Sequence, residues 1–214
     1  MTLLEKAGAW LLAIVCTCAP LAAQAQFGRA WPKPPKIVVI GAEGDPRMML
    51  VDEAIAYWNR ALEEAGAGLR LPGATRAALP IPEEALQELS QAVLARRRPV
   101  HVPPALRELP GDVNVMLAQS SFISFAGPFD SEGKRVIGIR GDRVPPLSLP
   151  NVARNVIAHE LGHAIGLGHN DDPSKLMCGR PAPCRPGEFK SEEPRYFPLT
   201  DDERRELRRL YPPQ

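Results

Sequence analysis

Residues 155–169, from Asn155 to His169, read NVIAHELGHAIGLGH. The only titratable side chains in this stretch are His159, Glu160, His163 and His169. A segment apolar on nearly every side is a buried helix, where an ionisable group is costly unless something pairs with it. His159 and His163 are four apart, so they project from one helical face, one turn above the other. That spacing lets both imidazoles reach one tetrahedral zinc. Glu160 lies about 100° round the helix, where it can touch a water activated by the metal without ligating it. Gly166 can take the backbone conformation that ends a helix and turns the chain back. His169 then meets the same metal from outside the helix. The expectation is one zinc held by His159, His163 and His169, with Glu160 as general base and acid.

Ahead of this helix the chain alternates strand and helix signals. The β-branched run over 36–40 predicts a buried strand. After the Gly44-Asp45-Pro46 turn, Met49, Ala54, Ile55, Trp58 and Leu62 recur at helical spacing, and Gly66 and Gly68 stop that helix. Residues 69–71 suggest a second strand. Residues 72–110 read as a helical insertion, with one proline-flanked helix over 82–98. Arg96, Arg97 and Arg98 close that helix and read as a solvated end, not a basic patch. Strands are predicted over 112–117, 121–126 and 134–140, the last two separated by a turn-rich loop over 128–133.

The whole chain has 214 residues, and its 26 basic and 25 acidic side chains leave a net charge of +1, which gives no support for a nucleic-acid partner. Its 24 prolines are about twice the usual share, so long loops are expected. Residues 1–25 resemble a signal peptide, with an apolar core and Ala23-Gln24-Ala25 before the expected cut. The competing reading is a membrane anchor, but the core is short for a span and Pro20 interrupts it. Cleavage implies a secreted or periplasmic protein with no stable membrane association. Residues 26–35 read as an extended leader, and 36–214 as one domain. Cys178 and Cys184 would be the cysteines left, and in an oxidising compartment they are expected to close a small disulfide loop. Metal ligation is the alternative, at an unusual spacing.

The run HELGHAIGLGH from His159 to His169 resembles the metzincin zinc peptidases, and the continuation through Asp172-Pro173 to Leu176-Met177 is similar to the matrixin branch. The resemblance implies an α+β zincin: a twisted mixed sheet, the active-site helix, and a C-terminal subdomain over 170–214. It implies that Met177 is the methionine of the turn beneath the zinc, a packed base and not a ligand. Residues 199–211 resemble the family's closing helix, and Thr200 with Glu203 independently predicts a capping box. The chain departs from the pattern in several places. Cys178 stands where matrixins usually carry Tyr, the inhibitory cysteine motif of the propeptide is absent, and only His101 remains for a second zinc. Calcium is possible but unsupported, because the loop around Asp130 is a poor match to a calcium loop.

In metzincins the strand bordering the cleft holds the substrate. The candidate here is the segment of Ser121, Phe122, Ile123, Ser124 and Phe125, with core packing of its aromatics as the competing reading. The expected function is zinc-dependent hydrolysis of peptide bonds within a polypeptide substrate. The alternatives are a zinc-stabilised binding or adhesion module and a cell-wall amidase. Cleavage specificity, inhibitor and oligomeric state have no signature in the sequence.

Overall fold

The structure is a computed structural model that describes residues 29–95, 102–128, 133–141, 148–179 and 193–213. The run predicted at 36–40 forms strand β1 (Ile37–Ile40), and its side chains divide by parity. Ile37 and Val39 enter one core cluster, Val38 and Ile40 the other. A strand buried on both faces belongs inside a covered sheet. β1 indeed lies between β2 (Thr75–Ala77) and β3 (Val113–Leu117). Beyond β3 come β5 (Arg135–Ile139) and, at the edge, β4 (Phe125–Pro128), giving the order β2-β1-β3-β5-β4. Four strands are parallel, while β4 runs antiparallel to β5, with Phe125 opposite Gly138. The sheet is therefore mixed and the fold α+β.

Helix α1 (Arg47–Glu64) and the histidine helix α4 (Pro150–Ala164) cover one face. Val51, Ala54, Ile55, Trp58 and Leu62 form the buried stripe of α1, as their spacing predicts. Gly66 ends it at φ +67°, where paired bonds from Ala67 N–H to Leu62 O and Gly66 N–H to Glu63 O close the last turn. Helix α2 (Glu83–Leu94) covers the other face, with Leu86 and Leu89 fully buried, and the short α3 (Pro104–Arg107) adds Leu106. The C-terminal helix α5 (Asp201–Leu210) begins at the predicted capping box: Thr200 Oγ1 accepts from Glu203 N–H, and Glu203 Oε2 accepts from Thr200 N–H.

The structure departs from expectation at four places. Leu69 and Leu71 are buried but form no strand. The Asn59 side chain takes both the N–H and the C=O of Leu71, at 2.7 and 3.0 Å, in place of a ladder. The second strand forms later, where Thr75 pairs with Val38. The segment 72–110 contains its predicted helix, yet it also contributes strand β2 to the main sheet and side chains to the second core.

The strand predicted over 121–126 starts only at Phe125 and runs to Pro128. Side chains occupy the polar groups of the residues before it. Ser90 Oγ donates to Ile123 O, and Ser124 Oγ and Ser121 Oγ accept from the Arg140 backbone N–H and guanidinium. The leader, finally, is docked over 29–31, where Ala30 and Trp31 pack against the main core. Residues 1–28, Arg96 to Arg98, His101, the Asp130 loop and Cys184 lie outside the described residues.

Candidate metal centre

Helix α4 starts with Pro150 at its first position, where a missing N–H costs nothing. It ends at Gly166, whose φ of +105° suits glycine alone. Leu167 N–H then bonds Gly162 O and Gly166 N–H bonds His163 O, both at 3.0 Å. This reversal carries the chain back over the helix and brings His169 to the face shared by His159 and His163. The three Nε2 atoms lie 3.0–3.2 Å from one another. His159 and His163 are buried, whereas His169 is exposed, so the cluster is reached from solvent on one side.

The hydrogen bonds of the rings fix what the Nε2 atoms can do. His159 Nδ1 lies 2.7 Å from Leu176 O, and His163 Nδ1 lies 2.8 Å from Leu167 O. A carbonyl only accepts, so each Nδ1 carries the proton and each Nε2 presents a lone pair. Two such lone pairs 3.1 Å apart repel unless a cation sits between them. Bonds of about 2.0–2.1 Å meeting at a tetrahedral angle would hold two zinc ligands about 3.3 Å apart, close to the spacing seen. Among the described residues this is the one group of three or more such donors that could hold a metal ion. Burial, and then the neighbouring His169, push the His163 pKa down to about 3, which keeps that ring neutral. The site fits zinc. Glu160, adjacent to His159 in the helix, is 7% exposed.

The segment after His169 supports the cluster from below. Met177 is fully buried, and a Cβ on Gly162 would come within 2.5 Å of its sulfur and 2.7 Å of Trp58 Cζ2. Asn170 N–H bonds Met177 O, and Gly179 N–H bonds Asn170 O, lacing the loop of the third histidine to the methionine turn. A Cβ on Gly179 would in turn strike the His169 side chain at 2.7 Å. Asn155, one turn before His159, holds the C-terminal segment by bonding Arg195 O and Phe197 N–H.

The matrixin family model, Peptidase_M10, matches residues 147–212, a span that holds α4, the methionine turn and α5. Together with the three-histidine cluster, this match supports a metzincin-like domain of the general zinc metallopeptidase class. The crystal structure of archaemetzincin from Methanopyrus kandleri is 20% identical, its alignment covering 83% of this chain and 95% of that one, with a TM-score of 0.48.

Within the metzincin-like domain, the structure brings His159, His163, His169 and Met177 together as the sequence predicts. The edge position falls to β4, so of the five residues named for the substrate edge only Phe125 lies in the strand; Ser121, Phe122, Ile123 and Ser124 precede it. Cys178 is buried and disulfide-bonded, with the other half outside the described residues.

Several supporting residues escaped sequence reasoning. Trp58 Nε1 donates to Ala158 O at 2.8 Å. At the far end of α4, Trp31 Nε1 donates to Ala164 O, and Tyr211 Oη donates to Ile165 O. The Arg135 guanidinium donates to His163 O, Ala164 O and Arg29 O, with Trp31 stacked over it at 4.9 Å. A buried arginine on β5 has one available signal, the charge itself inside an otherwise apolar strand.

Proposed function

We propose that the chain is an exported zinc-dependent endopeptidase. The observation that carries this reading is the convergence of three Nε2 atoms, two with their protons fixed on the opposite nitrogen and both on a helix that also carries the buried Glu160 next to His159. His159, His163 and His169 would hold the zinc. Zinc supplies Lewis acidity, lowering the pKa of water towards 7 and polarising a carbonyl. Glu160 takes the proton of the attacking water and delivers it to the leaving amine. The carbonyls of Leu176 and Leu167 keep the two helical rings in the tautomer that presents Nε2. Strand β4, at the edge of the sheet, pairs with an extended peptide through main-chain groups, which suits cleavage within a chain. Pro128 has no N–H to offer and limits that pairing at one end. Export through residues 1–25 and a Cys178–Cys184 bridge belong to the same reading. N-terminal sequencing of exported protein and non-reducing peptide mapping test them.

The functional test pairs chelation with one substitution. Wild-type protein should cleave casein or a quenched peptide, lose that activity to a chelator and regain it with zinc. Glu160→Gln should keep stoichiometric zinc and lose about 10²–10⁴-fold in turnover. Bound zinc with no hydrolysis of any peptide would favour the binding-module alternative. Release of cell-wall amides alone would favour the amidase.

A further inference from the structure

Helix α2 stands on the face of the sheet opposite α4, yet one of its stripes faces the segment that leads into β4. Glu83 and Ser90 are seven apart, two turns, with Leu86 and Leu89 between them on the same side. Glu83 Oε1 accepts Gln119 N–H at 2.7 Å, and Oε2 accepts Ser120 N–H at 3.1 Å and the Ser120 hydroxyl. Ser90, 1% exposed, donates to Ile123 O at 2.7 Å. Leu86 and Leu89 share the second core with Phe125 and Phe122. The Phe125 ring lies across Gly138, 2.6 Å from where a Cβ would stand, which sets the register of the edge strand on β5.

We propose that Glu83 and Ser90 are positioning residues for peptide binding, holding residues 119–124 so that β4, the last strand of the sheet among the described residues, keeps a fixed backbone for an extended peptide. This rests on the endopeptidase reading and gives the 72–110 segment a role in it. An edge strand binds through its backbone, so affinity depends on how little that backbone must reorder. One carboxylate accepting two successive amide hydrogens and a buried hydroxyl gripping the carbonyl of Ile123 remove that freedom before substrate arrives.

The test compares Glu83→Ala and Ser90→Ala with Glu83→Gln, which keeps an acceptor oxygen, and with Glu84→Ala on the exposed side. Hydrogen exchange of the metal-loaded, substrate-free protein reads the support directly. Exchange over 119–128 should quicken in the two alanine variants, less in Glu83→Gln and not in Glu84→Ala. For peptides long enough to lie along β4, KM should rise about three- to tenfold, the worth of one hydrogen bond. Turnover and zinc content should stay within about twofold. Unchanged exchange over 119–128 would overturn the proposal whatever the activity. Quickened exchange with unchanged KM would overturn the link to peptide binding. A wild-type protein that cleaves no peptide would instead overturn the endopeptidase reading, leaving the exchange result to stand by itself.

Discussion

Gly162 sits between the two zinc-helix histidine turns with Met177 and Trp58 pressed against it, so even a methyl group there has no space. Gly162→Ala should cost about 1–3 kcal/mol by overpacking, against the small helix gain that alanine brings elsewhere. Thermal unfolding measures it, and a variant as stable as wild type would contradict the packing. His163 predicts a pH dependence for the metal-free protein. Its folded pKa is depressed to about 3, mainly by burial, against an ordinary value of 6.5. The folded state therefore binds fewer protons than the unfolded chain between those values. Its contribution is fully present above about pH 6.5 and is lost as pH falls towards 3. Urea unfolding of chelated protein should give a lower midpoint at pH 5 than at pH 7. The shared face of His159 and His163 was legible because a four-residue spacing fixes a helical face whatever surrounds it. The demands on Gly162 and Gly179 were not, since they depend on what packs against them.

The end of α4 shows the same contrast between near and far. Gly166 and the turn at Leu167 could be read from the local sequence. The donors that meet the last carbonyls come from Trp31, Arg135 and Tyr211, remote in sequence. Arg135 is 3% exposed, and its partners are carbonyls and an aromatic face. The negative end of the helix dipole compensates part of the burial of its charge. Burial, foremost, lowers its pKa from the ordinary arginine value. Trp31→Ala should cost about 1–2 kcal/mol, the sum of a hydrogen bond and a partly exposed cation–π contact. Arg135→Met should cost more, because it removes three hydrogen bonds at once, those to His163 O, Ala164 O and Arg29 O. Denaturant unfolding of both variants checks the order. In the sheet, β1, β3 and β5 were legible from their apolar runs. The second strand was displaced by six residues and the start of β4 by four, because the side chains of Asn59, Ser90 and Ser124 engage backbone groups that the runs alone would commit to ladders.

For the molecule as a whole, a zinc held by His159, His163 and His169 would join segments separate in the chain. Two of the rings stand on α4 and one on the loop laced to the Met177 turn; Leu176 N–H of that turn bonds Pro198 O, and Asn155 of α4 bonds Phe197 N–H, both on the approach to α5. A metal that binds only the folded form stabilises it by about 2.7 kcal/mol at a hundred times its Kd. Chelation should lower the melting temperature, and added zinc should restore it. An unaltered temperature would mean the three rings hold no metal. The capping of the C-terminal end of α4 by both Trp31 and Tyr211 also has a consequence for synthesis. A ribosome finishes the histidine helix some fifty residues before it releases the tyrosine that seals that helix's last carbonyl. Until then the nascent chain has the ligands in hand without a finished floor beneath them. The last carbonyls of the helix are thus satisfied only once two remote segments, around Trp31 and around Tyr211, have come together upon it.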